Sequence, residues 1–279
     1  MSAPPTPPAT PTLAPKPTLG EERDSQLVWA IVRKRPNPLV SIAFTVPVFL
    51  IYHLGLLLIS RRHHVDFIST LLQRLLPRPP REPGDPPLPP LAEGEWDINV
   101  PAYVAVTLAF ALLMLVVTWV QQKRGKAEPH LFRRVFAESL GAALLILMSI
   151  GWATHEVRTG EALNVPYMTF VEKLVLAAGA GFHEELIFRA LLITGASWAL
   201  IKLIKWKSWV SLLVCALISS VLFSLAHYFV LADEAFVMQV AGFRVLEGML
   251  FAALYVTRGF ATVVYAHVLY DLMAFYLYS

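Results

Sequence analysis

The chain has 279 residues, is 56% hydrophobic and only 15% charged, and carries a formal charge of +3. Soluble domains hold about 25% charged residues, and here the apolar residues gather in long blocks, which excludes a soluble domain. A net charge this small, set close to the ends of those blocks, also argues against a nucleic-acid partner. The single cysteine, Cys215, rules out an internal disulfide or a cysteine-built zinc cluster.

In chain order, residues 1–37 read as a disordered Pro-rich tail followed by a basic flank at Arg33, Lys34 and Arg35. The opening stretch MSAPPTPPATPTLAPKPTLG has no apolar run and is not a signal peptide. Apolar segments long enough to cross roughly 30 Å of hydrocarbon as helices follow. They are predicted at 38–59, 98–120, 131–153, 170–196, 209–230, 237–257 and 260–278, the last two joined tightly at Arg258 and Gly259. The fold class expected is therefore all-α, a polytopic membrane bundle of about seven transmembrane helices. Residues 38–153 form three N-terminal spans interrupted by a Pro-rich loop at 60–97, and residues 170–278 form a C-terminal helical core.

Lys123, Arg124, Lys126, Arg133 and Arg134 crowd the second connection and Lys202, Lys205 and Lys207 the fourth, whereas the connection after the fifth span carries Asp233 and Glu234. Basic residues stay on the cytoplasmic side. This predicts an integral protein of a bacterial inner membrane with a cytoplasmic N-terminus and an external C-terminus.

Against this background the stretch GFHEELIFR, residues 181–189, is out of place. Each charge at a bilayer centre costs roughly 2.5–3.5 kcal/mol on insertion scales. Glu185 and Arg189 are four apart with the acid first, the better order for an ion pair. Glu184, one step or about 100° round an α-helix, has no local basic partner except His183, so it must be protonated or met from another helix. Phe223 and His227 share a face one turn apart on the fifth segment, and His267 and Asp271 do so on the seventh. The common purpose expected of these groups is a polar cavity between helices. Two further pairs, Arg134 with Glu138 and Arg244 with Glu247, are spaced for contacts within one helix.

One carboxylate and one imidazole suffice to activate a water as general base, and a second imidazole with a polar neighbour can stabilise an oxyanion. The chain lacks a Gly-x-Ser-x-Gly elbow, and Ile187 stands where a zincin would have its second histidine. A zinc site built from Glu184, His227, His267 and Asp271 remains chemically open.

The three motifs Glu184-Glu185-x-x-x-Arg189, Phe223-x-x-x-His227 and His267-x-x-x-Asp271, in this order on separate helices, resemble those of the CPBP family of intramembrane proteases. This is the group that includes CAAX-processing and bacteriocin-processing (ABI) proteins and type II CAAX prenyl proteases, and the resemblance spans about residues 170–278. It implies an intramembrane endopeptidase of the glutamate type, with Glu184 the base, helped by His227, acting on a water. It also implies that His267 and Asp271 form the oxyanion side, while Glu185, Arg189 and Phe223 orient the motif helices. Eukaryotic CAAX proteases carry Asn at the position of Asp271; an ionised Asp cannot donate to an oxyanion, so Asp271 is either protonated or orients His267. No cofactor or metal is expected. The partners implied are the lipid bilayer and a membrane-anchored or exported protein processed at a C-terminal tail or sorting signal. The alternatives are a zinc metalloprotease using the same residues and a non-enzymatic scaffold or immunity protein of the same fold. An ion or proton transporter would need an inverted repeat or paired broken helices, which the sequence does not display.

Overall fold

The computed structural model describes residues 38–58, 100–123, 129–151, 168–229 and 236–277. The N-terminal tail at 1–37, the Pro-rich loop at 60–97, Arg124, Lys126, Asp233 and Glu234 lie outside the described residues.

Among the described residues seven helices follow one another: α1 Pro38–Leu58, α2 Val100–Lys123, α3 Pro129–Ile146 continued by Leu147–Gly151, and α4, which begins at Phe170–Gly179. Helix α4 continues through Ala180–Ala196 to Ser197–Lys202; α5 is Ser208–Phe229, α6 Met238–Arg258 and α7 Phe260–Leu277. Each matches one apolar segment of the sequence, and the described residues contain no strand. In lipid a helix satisfies every backbone group internally, which is why the apolar blocks adopt it. Five of the helices, α1, α2, α5, α6 and α7, are apolar enough over 18–21 residues to cross a membrane. The protein is thus an integral membrane protein. Helix α3 carries Arg133, Arg134 and Glu138, and α4 carries the motif charges, so these two are the polar members of the bundle.

Local chemistry sets the ends. Helix α4 starts at a capping box: Glu172 N–H donates to Thr169 Oγ1 at 3.3 Å and Thr169 N–H donates to Glu172 Oε2 at 2.7 Å. Gly259 takes φ 94° between α6 and α7, a left-handed value that favours glycine, and allows the tight join.

Helix α7 is the central element. Its residues 260–268 are all buried, and apolar helices wrapped on all sides are what a bundle interior calls for. Around it Phe49, Tyr52, Val175 and Phe182 join α1 and α4 to Val264 and Val268. On another side Ala143, Ile146 and Phe251 join α3 and α6 to Val263 and Tyr270. A third group, Ile193, Cys215, Ala216 and Ala252, ties α4 to α5 and α6, and Cys215 is a buried packing residue there.

Helices in lipid gain little from apolar contact alone and lean on small residues and interhelical hydrogen bonds. Ser139 Oγ donates to Thr262 O at 2.9 Å, Ser219 Oγ to Phe188 O at 2.6 Å, Ser224 Oγ to Ala241 O at 2.9 Å and Tyr265 OH to Phe44 O at 2.8 Å. Gly181 brings α4 against α7 so closely that a Cβ there would sit 3.0 Å from Val268 N and 3.1 Å from Val264 O. Backbone cannot yield as a side chain can, so this approach, three residues before Glu184, needs glycine.

Glu138 accepts from Arg134 Nε at 2.8 Å and lies 3.4 Å from Arg258 Nε. The 134–138 spacing thus makes its contact, with a third partner from α6. These part-exposed pairs are worth little on their own.

The bundle predicts a topology that can be measured. Reporter fusions after Gly125 should report one side of the membrane, and fusions after Gly160 and Glu234 the other. The same side for Gly125 and Gly160 would mean that α3 does not span.

Candidate active site

The site starts with a departure from regular winding. The sequence reading assumed 100° per residue through 181–189, but from Ala180 to Ala196 helix α4 winds wider, with i→i+5 hydrogen bonding. More residues per turn means that consecutive side chains diverge less. Glu184 and Glu185, expected on separate faces, therefore reach the same imidazole on α7.

That imidazole is His267, 3% exposed. Its Nδ1 lies 2.8 Å from Glu185 Oε1, and its Nε2 lies 3.9 Å from Glu184 Oε2 and 3.6 Å from Asp271 Oδ2. Glu185 Oε1 also takes Arg189 Nη1 at 3.1 Å, with both side chains fully buried. Because the Glu185 carboxylate is paired with a guanidinium, Nδ1 of His267 donates to it. The Nε2 lone pair is then turned toward two further carboxyl groups. Lone pairs repel across such a gap, so at least one proton is shared among His267 Nε2, Glu184 and Asp271. The gaps are too long for direct hydrogen bonds.

Arg189 is fixed from three sides. Its Nη2 donates to Gly248 O at 3.4 Å, and its guanidinium lies 4.5 Å from the Phe223 ring and 5.7 Å from the Phe251 ring. Arginine against aromatic faces in a dry setting is favourable. Phe223 has a wider office than an apolar spacer: it also meets Phe188 at 5.6 Å, His227 at 5.1 Å and His267 at 6.1 Å between ring centroids. His227 Nδ1 donates to Phe223 O at 2.9 Å, so its Nε2 carries the lone pair when the ring is neutral.

The motif residues Glu184, Glu185 and Arg189 from α4, Phe223 from α5, and His267 and Asp271 from α7 thus fall into one region, and His227 of α5 is joined to it through the Phe223 ring. Two features had no signal in the sequence. Glu185 holds His267 as well as Arg189. Phe251 of α6 stacks on the His267 ring at 4.7 Å and 19°, fixing its plane. His183, considered as a partner for Glu184, points elsewhere: its Nε2 lies 3.2 Å from His53 Nε2 on α1. Arg244 and Glu247 are both buried on α6, with the Arg244 guanidinium 5.2 Å from the Tyr228 ring.

Residues 166–273 match the family of Rce1-like type II CAAX prenyl endopeptidases. Comparison with curated protein sequences and with solved structures gives no match. The matched span begins just before α4 and ends two residues beyond Asp271, so it contains every motif residue of the site. From residue 166 to residue 273, the chain is similar to Rce1-like type II CAAX prenyl endopeptidases, which is consistent with an intramembrane protease of the CPBP family.

Proposed function

We propose that the protein hydrolyses a peptide bond in a membrane-associated substrate with a water activated by Glu184 and His227. His267 and Asp271 stabilise the oxyanion, and no metal takes part. The observation that carries this reading is the convergence of Glu184 and Asp271 on one edge of His267 at 3.9 and 3.6 Å, with Glu185 fixing the opposite edge at 2.8 Å. Shared protons inside a bundle are what a base and an oxyanion donor require. The shared proton also bears on the oxyanion side: on His267 Nε2 it makes the imidazolium the donor, and on Asp271 it makes the carboxyl the donor, as Asn is in eukaryotic CAAX proteases. The substrate fitting this setting is an anchored or exported protein, cut near a C-terminal tail or sorting signal.

The metalloprotease reading uses the same residues. Zinc legs of about 2.0–2.2 Å place tetrahedral ligand atoms about 3.3–3.6 Å apart; Glu184 Oε2, 3.9 Å from His267 Nε2, is set wider than that, while Asp271 Oδ2 at 3.6 Å falls at the upper end. Among the described residues no group of three such side chains is gathered closely enough to hold a metal ion. Glu185 and Arg189 already neutralise each other at 3.1 Å, so that acid adds no net charge to attract a cation. Purified protein in lipid nanodiscs should keep its proteolytic activity after prolonged chelator treatment and carry far less than one zinc per chain. Activity lost to chelator and restored by zinc in the same sample would promote the metalloprotease.

A further inference from the structure

We propose that His53 on α1 and Tyr103 on α2 are positioning residues for Glu184, acting through His183; this rests on the assignment of Glu184 as the base. Both helices lie outside the span that matches the family, so nothing in that match gives them a part in the site.

The three side chains form one chain of contacts inside the bundle. Tyr103 OH lies 2.7 Å from His53 Nδ1, His53 Nε2 lies 3.2 Å from His183 Nε2, and His183 Nδ1 lies 3.0 Å from Gly179 O. His53 and Tyr103 are 6% and 1% exposed. Aromatic rings enclose the pair of imidazoles: Phe49 at 4.2 Å from His53, Tyr52 at 4.9 Å and Phe182 at 5.1 Å from His183.

The donors and acceptors allow one arrangement with both rings neutral. A carbonyl only accepts, so His183 Nδ1 carries its hydrogen and donates to Gly179. His183 Nε2 is then an acceptor, His53 Nε2 must donate to it, and His53 Nδ1 must accept from the Tyr103 hydroxyl. The two histidines therefore hold opposite tautomers, and all four ring nitrogens are satisfied. The chain ends on a backbone carbonyl of α4, so it is not a proton path to Glu184. What it does is anchor α4 to α1 and α2 at the residue next to Glu184, where the winding has just widened at Ala180. A wide turn is a rare, poorly self-supporting conformation, and an external anchor at its start keeps the Glu184 carboxyl aimed at His267.

Full-length protein in lipid nanodiscs, labelled at histidine nitrogens and glutamate carboxyl carbons, tests this by solid-state NMR. The expected spectrum has residue 53 protonated at Nε2 and residue 183 at Nδ1, with each signal assigned by its loss on substitution. Glu184, assigned by Glu184→Gln, should shift in His53→Leu and return close to its original position in His53→Gln, whose amide still donates to His183. In cells, His53→Leu should lower processing of Glu184-dependent substrates by about 10²-fold at unchanged protein level, the scale of a small misplacement at a reacting centre. His53→Gln should stay within a few-fold. If His53→Leu does not accumulate, Tyr103→Phe decides: it removes one oxygen, should move the His53 Nδ1 signal, and should lower processing by about tenfold, equivalent to one buried hydrogen bond. Equal tautomers, an imidazolium at either position, or equal loss in the Leu and Gln variants would overturn the proposal. If Glu184→Gln itself leaves processing intact, the assignment of the base fails, while the tautomers and the Glu184 signal still judge the anchor.

Discussion

Glu184→Gln is expected to abolish proteolysis while the protein accumulates and melts as the parent does. Glutamine keeps the length and hydrogen-bonding capacity of the side chain and removes only its basicity. General-base catalysis contributes about 10²–10⁴-fold, so turnover should fall by at least about 10²-fold. Stability should hardly move, because Glu184 is not the partner of Arg189: that guanidinium takes Glu185 at 3.1 Å, and the nearest cationic candidate for Glu184, His267 Nε2, is 3.9 Å away. Replacing the acid also relieves its repulsion with Glu185 and Asp271. Thermal melting in nanodiscs beside the processed fraction of substrate checks both halves. Retained turnover would remove Glu184 from the role of base.

Glu185→Ala should act in the opposite way, on the protein before the chemistry. It leaves Arg189 fully buried without its carboxylate and takes the acceptor from His267 Nδ1 at 2.8 Å. Breaking one side of a buried pair costs about 3–5 kcal/mol, a large part of the stability of an ordinary fold, so the amount of folded protein should drop steeply. The double variant Glu185→Ala/Arg189→Met removes both charges and should recover protein level, since a buried pair replaced by apolar groups is often neutral. Activity should stay low, because His267 still lacks the group that fixes its tautomer. Immunoblots of membrane fractions and melting curves separate the two effects. Full activity in the double variant would contradict the role given to Glu185.

Much of this arrangement is written in the order of residues, though unevenly. Apolar block length specifies the seven helices, because a backbone in lipid has few alternatives. Spacing within one helix specifies the Glu185–Arg189 pair and the facing of Phe223 with His227. Thr169 with Glu172 is a capping box readable from four residues. Contacts between helices are another matter. Nothing local links His53 to His183, 130 positions apart, or Glu185 to His267, 82 apart. The widened winding after Gly179, which carries the two neighbouring acids that meet one imidazole, likewise has no periodic signature in an apolar stretch. Residue order thus names the candidate members of the site, and packing gives their pairing.

The measurement that bears most directly on the central reading is a comparison of protein termini in membrane and secreted fractions from cells carrying the parent protein or Glu184→Gln at equal level. A set of anchored or exported proteins should retain an extra C-terminal or N-terminal segment in the variant alone. Identical termini in both, with the parent protein present and folded in the membrane, would contradict the account of a glutamate-dependent intramembrane endopeptidase.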